Sequence, residues 1–385
     1  VFQKKAVKQP YFMSVLSPFY EALQYPLFYP FGEVGWQPGM HDESGEKISL
    51  QLYVQRLLVR ESARFGRLGR LLNEYVCDMY SRIEESRLNF VRFSLQKRIA
   101  RRRELEETVE ASGGPKAGRV YMPSSFLGSW RRMQVLLQDS LATLRRCGKP
   151  TYFVTATCNP EWEEIVRHLR PGQNASDRPD LVARVFKLKL KKLLAWLRSG
   201  KSPLGKCVYV IHVVEFQKRG LPHAHIIMRA ETQLGDEDVA DIDSVISAEV
   251  PTAQPLRSLV LQHMVHQHKA ACLKQGRLCC RGYPRGIVPE THLDARGYVQ
   301  YRRRHACDAS IVEYCPDMLL YWGGHMNVQI AHTVNVVGYL FKYFFKGRDR
   351  GKFAVRKEAE KASGAGAVRG SPSSRKRKRT SHVRY

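Results

Sequence analysis

His223 and His225 stand two residues apart in GLPHAHIIM, residues 220–228, inside a run that otherwise reads as a buried strand. Side chains alternate along a strand, so both imidazoles leave from one face. Just upstream, CVYVIHVVEF reads as a second strand, and only QKRGL separates the two, which is hairpin spacing with Gly220 supplying the turn. A register centred near Gly220 sets Gln217 across from His223 and Glu215 across from His225. The opposite face, with Val210, His212, Val214, Phe216, Ile226 and Met228, is nearly all apolar and is the expected core. Two imidazoles with a carboxylate or an amide leave coordination positions open on a divalent ion, as a Lewis acid needs and a closed structural site does not. The expectation is a catalytic metal at His223, His225 and either Glu215 or Gln217. Glu215 is preferred because a carboxylate offsets the charge of the ion. The alternative is a pair of partly buried histidines satisfied by their neighbours.

Three further groups of residues carry chemistry. In VGYLFKYFFKG, residues 337–347, Tyr339 and Tyr343 are four apart, flanked by Lys342 and Lys346. On a helix they share a face, one turn apart, about 6 Å along the axis. A phenol can attack a phosphodiester where a metal polarises the phosphate and cations hold the developing charge; the alternative is an aromatic stripe packed in a core. In MVHQHKAACLKQGRLCCRGYPRG, His266, His268, Cys272 and either Cys279 or Cys280 offer imidazoles and thiolates at a density that suits tetrahedral Zn²⁺. In GYVQYRRRH, Tyr298, Tyr301, Arg302, Arg303 and Arg304 interleave rings with guanidiniums, as single-strand binders combine stacking with phosphate contact; a solvated charge run is the alternative.

The elements that must hold these groups follow from pattern. From about Leu50 to Glu107 apolar residues recur at three and four, which predicts helices behind an aromatic-rich, irregular entry over residues 1–45. ASGGPKAG breaks the pattern and sets a boundary near 115, after which PSSFLGSWRRMQVLLQDSLATLRRCG restarts a helix behind a Ser-rich cap and stops it at Gly148. TYFVTATCNP reads as a strand, DLVARVFKLKLKKLLAWLRSG as an amphipathic helix, and the hairpin follows. The expected architecture is α+β: a mainly helical domain over 1–115, a domain over 116–347 with an antiparallel sheet and a Cys/His zinc-binding segment near 263–285, and a disordered basic tail over 348–385.

Composition names the partner. The 385 residues hold 63 Lys and Arg against 36 Asp and Glu, a net charge of +27, which makes a polyanion, and nucleic acid first, the natural ligand. Nine cysteines, three of them crowded into one basic segment, favour metal binding in a reducing compartment over a disulfide framework. No apolar stretch approaches a membrane span and the N-terminus lacks a signal-peptide core, so a soluble intracellular protein is expected. RKRKR, Arg375 to Arg379, reads as a nuclear address or a nonspecific DNA-binding arm. No Walker A pattern occurs. The first residue is Val1, so the chain reads as a fragment or a trimmed form of something longer.

VVEFQKRGLPHAHIIM, FVTATCNPEW, RPDLVARVFKLKL, YPLFYPFGEVGW, SSFLGSWRRM and GYLFKYFFKG together resemble the Rep nuclease region of Helitron transposases, a branch of the HUH endonucleases. The resemblance spans roughly residues 11–347. It implies an RRM-like antiparallel sheet, Mg²⁺ or Mn²⁺ at His223 and His225, nucleophiles at Tyr339 and Tyr343, and single-stranded DNA at transposon ends as substrate. That group carries a His/Cys-rich cluster here too, usually with Cys where this chain has His268. A superfamily-one-type helicase normally follows in the same polypeptide; the present sequence stops before one, and unwinding is not expected of it. The implied activity is nicking and joining through a 5′-phosphotyrosine. Rival readings are a nucleic-acid-binding remnant without catalysis and a metal-dependent hydrolase that uses water.

Overall fold

The computed structural model describes residues 13–106, 122–216, 220–232, 239–268, 272–274, 278–279, 281–295 and 297–331, with side chains throughout except at 95–106, 239–241, 273–274 and 278. The described residues all fall within one compact unit, Val1–Gly347.

Residues 13–106 build a helical layer. Ser49 opens helix α1, Leu50–Arg60, by accepting a hydrogen bond from the Leu52 N–H at 3.2 Å. The periodic run does not continue unbroken, because Gly69 takes a positive φ of 49° and restarts the chain as helix α2, Arg70–Glu106. The aromatic entry packs into these helices: Phe28 stacks on Phe65 at 4.5 Å, with Tyr75 against both. Beneath the rings lies a fully buried ion pair, Arg82 with Glu21 at 2.6 Å, whose carboxylate also accepts from the Tyr29 hydroxyl.

The second layer begins at helix α3, Trp130–Cys147, capped by Ser129 and ended at Gly148 with φ 87°. Strand β1, Tyr152–Thr157, follows, then helix α4, Pro179–Arg198, strand β2, Cys207–Phe216, and strand β3, Pro222–Ala230. Helix α5, Leu256–His263, helix α6, Pro316–Trp322, and strand β4, Met326–Ile330, complete it. The strands pair antiparallel in the order β2-β3-β1-β4, so the fold is α+β with β1 and β3 central.

Alternation sorts the two faces. Val154, Ala156, Ala224, Ile226 and Met228 point into one core with Phe186, Leu190, Leu193 and Leu197 of α4. Each of the larger of these side chains contributes about 2 kcal/mol by leaving water. On the other face Phe153 and Ile227 meet Leu144 of α3 in a smaller cluster. The expected core face of the hairpin is only partly core: Ile226 and Met228 are buried, but His212 is exposed, as are Val214 at 38% and Phe216 at 61%. The reason is that β2 is an edge strand, and its hairpin end stays open to solvent on that face.

Candidate metal centre and its surroundings

The hairpin places Glu215 directly across from His223 and Val213 across from His225. The register is therefore two residues from the one centred on Gly220, with the strands joined by the five residues 217–221, and Gly220 has a positive φ of 79°. A shift of two preserves parity, so Glu215, His223 and His225 still share one face. Gln217 lies outside the described residues.

The two imidazole rings stand 4.7 Å apart at 68°, and the His225 ring stacks on Phe153. Nε2 of His223 is 3.6 Å and Nε2 of His225 3.8 Å from one Glu215 carboxylate oxygen. The three donor atoms all lie within 4.8 Å of one another. Cis ligands around an ion with bonds of about 2 Å sit about 3 Å apart, so small side-chain adjustments close this triad on one divalent ion. Burial holds the His225 imidazole down to about 4, with the neighbouring His223 adding to it. His223 is lowered as well, by burial first, against the opposing pull of Glu215. Both rings are thus neutral near pH 7, which is the form that binds a metal.

Strand β1 orients the site from its other side. Thr155 pairs with His225 in the ladder, and its Oγ1 lies 3.1 Å from Nδ1 of that ring, which leaves Nε2 as the nitrogen facing Glu215. Thr157 pairs with His223 but directs its hydroxyl to Nδ1 of His325, at 3.2 Å. His325 is held to about 4, by burial first and then by the positive fields of His263, Arg281 and His223. The Asn159-to-Trp162 turn fixes this corner: Asn159 Nδ2 donates to the Gly323 carbonyl at 2.9 Å, and Trp162 meets Trp322 edge-on at 5.0 Å. A Cβ on Gly324 would come within 2.9 Å of the Asn159 Cβ, so a residue without one is needed there. Thr155, Thr157 and His325 were absent from the sequence reading; the available signal was the alternating TAT of β1, whose register against β3 only the fold supplies.

The second cluster also assembles. His266, His268, Cys272 and Cys279 bring four donor atoms within 4.8 Å of one another. Cys279 Sγ is 3.3 Å from His266 Nε2, and Cys272 Sγ 3.7 Å from His268 Nδ1. Four donors of this kind fit a tetrahedral ion with no open position. Of the two adjacent cysteines, Cys279 joins the cluster, and Cys280 lies outside the described residues. The segment is tied down by the His266 N–H bonded to the Ser310 carbonyl and by the His266 ring stacked on Tyr283 at 4.5 Å.

The basic run is divided by its own backbone alternation. Tyr301 is buried, its hydroxyl accepting from the Ile330 N–H, and Arg303 is buried against Glu313 at 2.9 Å. Neither can meet a DNA strand, which corrects the expectation for these two. The same alternation turns Arg302 and Arg304 outward, where Arg302 pairs with Asp243 and Glu249 and Arg304 with Glu249. Tyr298 is 39% exposed. Tyr339, Lys342, Tyr343 and Lys346, like the Arg375–Arg379 run, lie outside the described residues. No helix among the described residues is long and apolar enough to cross a membrane.

An antiparallel α+β sheet that gathers two imidazoles and a carboxylate on one face defines a candidate metal-dependent protein. Residues 52–228 match the family described as the Helitron helicase-like domain at N-terminus, a little under half of the chain. Over that stretch the chain is similar to that Helitron domain, and Glu215, His223 and His225 all fall inside it. Neither the curated proteins nor the solved structures contain a match to the chain.

Proposed function

We propose that the protein is a Rep-type endonuclease that nicks and rejoins single-stranded DNA at transposon ends by tyrosine transesterification. The observation that carries this reading is the convergence of Glu215, His223 and His225 on one sheet face within the Helitron-like segment. These three residues would hold Mg²⁺ or Mn²⁺, with Thr155 orienting His225 from behind. When bound, the ion supplies Lewis-acid polarisation of the scissile phosphate. Tyr339 or Tyr343 provides the phenol oxygen that attacks phosphorus. The bond from phosphorus to the 3′-oxygen breaks, that oxygen takes up a proton as the free 3′-OH, and the phenol proton passes to solvent. One phosphoester replaces another and no water is consumed, so the 5′-phosphotyrosine can return its strand to a new 3′-OH. Lys342 and Lys346 hold the phosphate charge, and Tyr298, Arg302 and Arg304 lie along the strand.

In the same reading His266, His268, Cys272 and Cys279 hold a structural Zn²⁺, and the Arg375–Arg379 run directs the protein to the nucleus. The test is incubation of end-labelled single-stranded DNA with the protein and Mn²⁺, followed by denaturing electrophoresis. Cleavage with a covalent protein adduct is expected, lost in His223→Ala and in the Tyr339→Phe, Tyr343→Phe double variant. Cleavage by His223→Ala at the full rate, or cleavage with no adduct, overturns it.

A further inference from the structure

The end of α4, the turn after it and α6 border an open surface groove of about 560 Å³. Its wall is an aromatic pair, Trp196 and Tyr321, stacked at 4.5 Å and 27°, with Tyr321 still 45% exposed. Lys201 and Asp317 stand on its rim, both exposed. Ser202 lines it at 6% exposure, and its buried hydroxyl has no hydrogen-bond partner among the described residues.

We propose that this groove is a binding subsite for an unpaired guanine nucleotide. The exposed face of Tyr321, backed by Trp196, offers a platform for a planar base. The acid on the rim then selects among bases. A carboxylate has only acceptors, and guanine alone presents two adjacent N–H donors, N1 and N2, on its pairing edge. Adenine, cytosine and thymine each set a ring acceptor or a carbonyl against it. Lys201 takes the phosphate at the other end. Asp317 in turn disfavours a phosphate at its own end, which fixes the orientation of the nucleotide. That the guanine belongs to a DNA strand rests on the nuclease reading; the recognition of the base does not.

The test measures equilibrium binding of the full chain, in EDTA so that no cleavage occurs, to labelled short oligo(dT) strands carrying one central dG, dA, dC or no replacement. The dG strand is expected to bind about tenfold more tightly than plain oligo(dT). Tyr321→Ala should remove most of that gain, and Asp317→Asn should level dG with dA. His223→Ala should keep the full preference, so a failed nuclease reading leaves this result intact. Competition with dGMP separates the sources: displacement of the dG strand by dGMP at low concentration identifies a free nucleotide, and displacement only at large excess identifies the strand. Equal binding of all strands by the wild-type chain, or an unchanged dG preference in Tyr321→Ala, overturns the proposal.

Discussion

Arg303→Met separates a structural arginine from a DNA-contacting one. The guanidinium is 3% exposed and bonds the carbonyls of Tyr301 and Ile311 and the carboxylate of Glu313. Glu313 in turn accepts from Asn327 and Gln329 of β4, so the pair ties the 301–313 segment to the edge of the sheet. Methionine fills much of the volume but leaves the carboxylate buried without its counter-charge, a loss of about 3–5 kcal/mol. The two amide donors on Glu313 remain and soften the loss, so the lower end, about 3 kcal/mol, is expected. Urea unfolding followed by circular dichroism reads it as a lowered midpoint at unchanged slope. The Arg303→Met, Glu313→Leu double variant should recover most of the loss, since no charge is then stranded. A midpoint for Arg303→Met within error of wild type, joined to weaker DNA binding, would show that the buried network described here is not what Arg303 does.

Three more outcomes are expected. The His225 ring sits at about 4 in the folded chain against 6.5 when unfolded, so the unfolded state takes up the proton first as pH falls. Stability present above pH 6.5 is then lost toward pH 4, by about 2 kcal/mol at pH 5, and His225→Gln should flatten that part of the pH profile of unfolding. Thr155→Val removes the hydroxyl that orients His225, and isothermal titration of Mn²⁺ should show affinity about 10–100-fold weaker with the fold kept. Cys279→Ser should lose about one zinc per chain by elemental analysis after dialysis against a mild chelator, whereas Cys280→Ser should retain it.

The sequence carried the hairpin and the shared face of Glu215, His223 and His225, because a period of two survives an error of two in register. It did not carry the register itself, because a five-residue connection such as QKRGL can be centred on more than one of its residues. Strand β4 was missed: MNVQI is five residues long and half polar, and its alternation behind the Gly323-Gly324 pair is the one signal that could have revealed it. The YRRRH run misled for a related reason. Composition reads four neighbouring residues as one surface, whereas extended backbone sends every second one inward, so Tyr301 and Arg303 became core while Arg302 and Arg304 stayed outside.

The place of β1 in the sheet has a consequence for how the protein is made. Its partners β3 and β4 end at Ala230 and Ile330, so on emergence from the ribosome β1 zips to β3 on one edge while the other waits for about a hundred further residues. Through that interval Tyr152 to Ala156 present open backbone donors and acceptors to any extended chain nearby. An excised domain cut at Met228, where the Helitron-like segment ends, would keep all three metal-facing residues and hold that exposed edge permanently; one carried through Ile330 would close it.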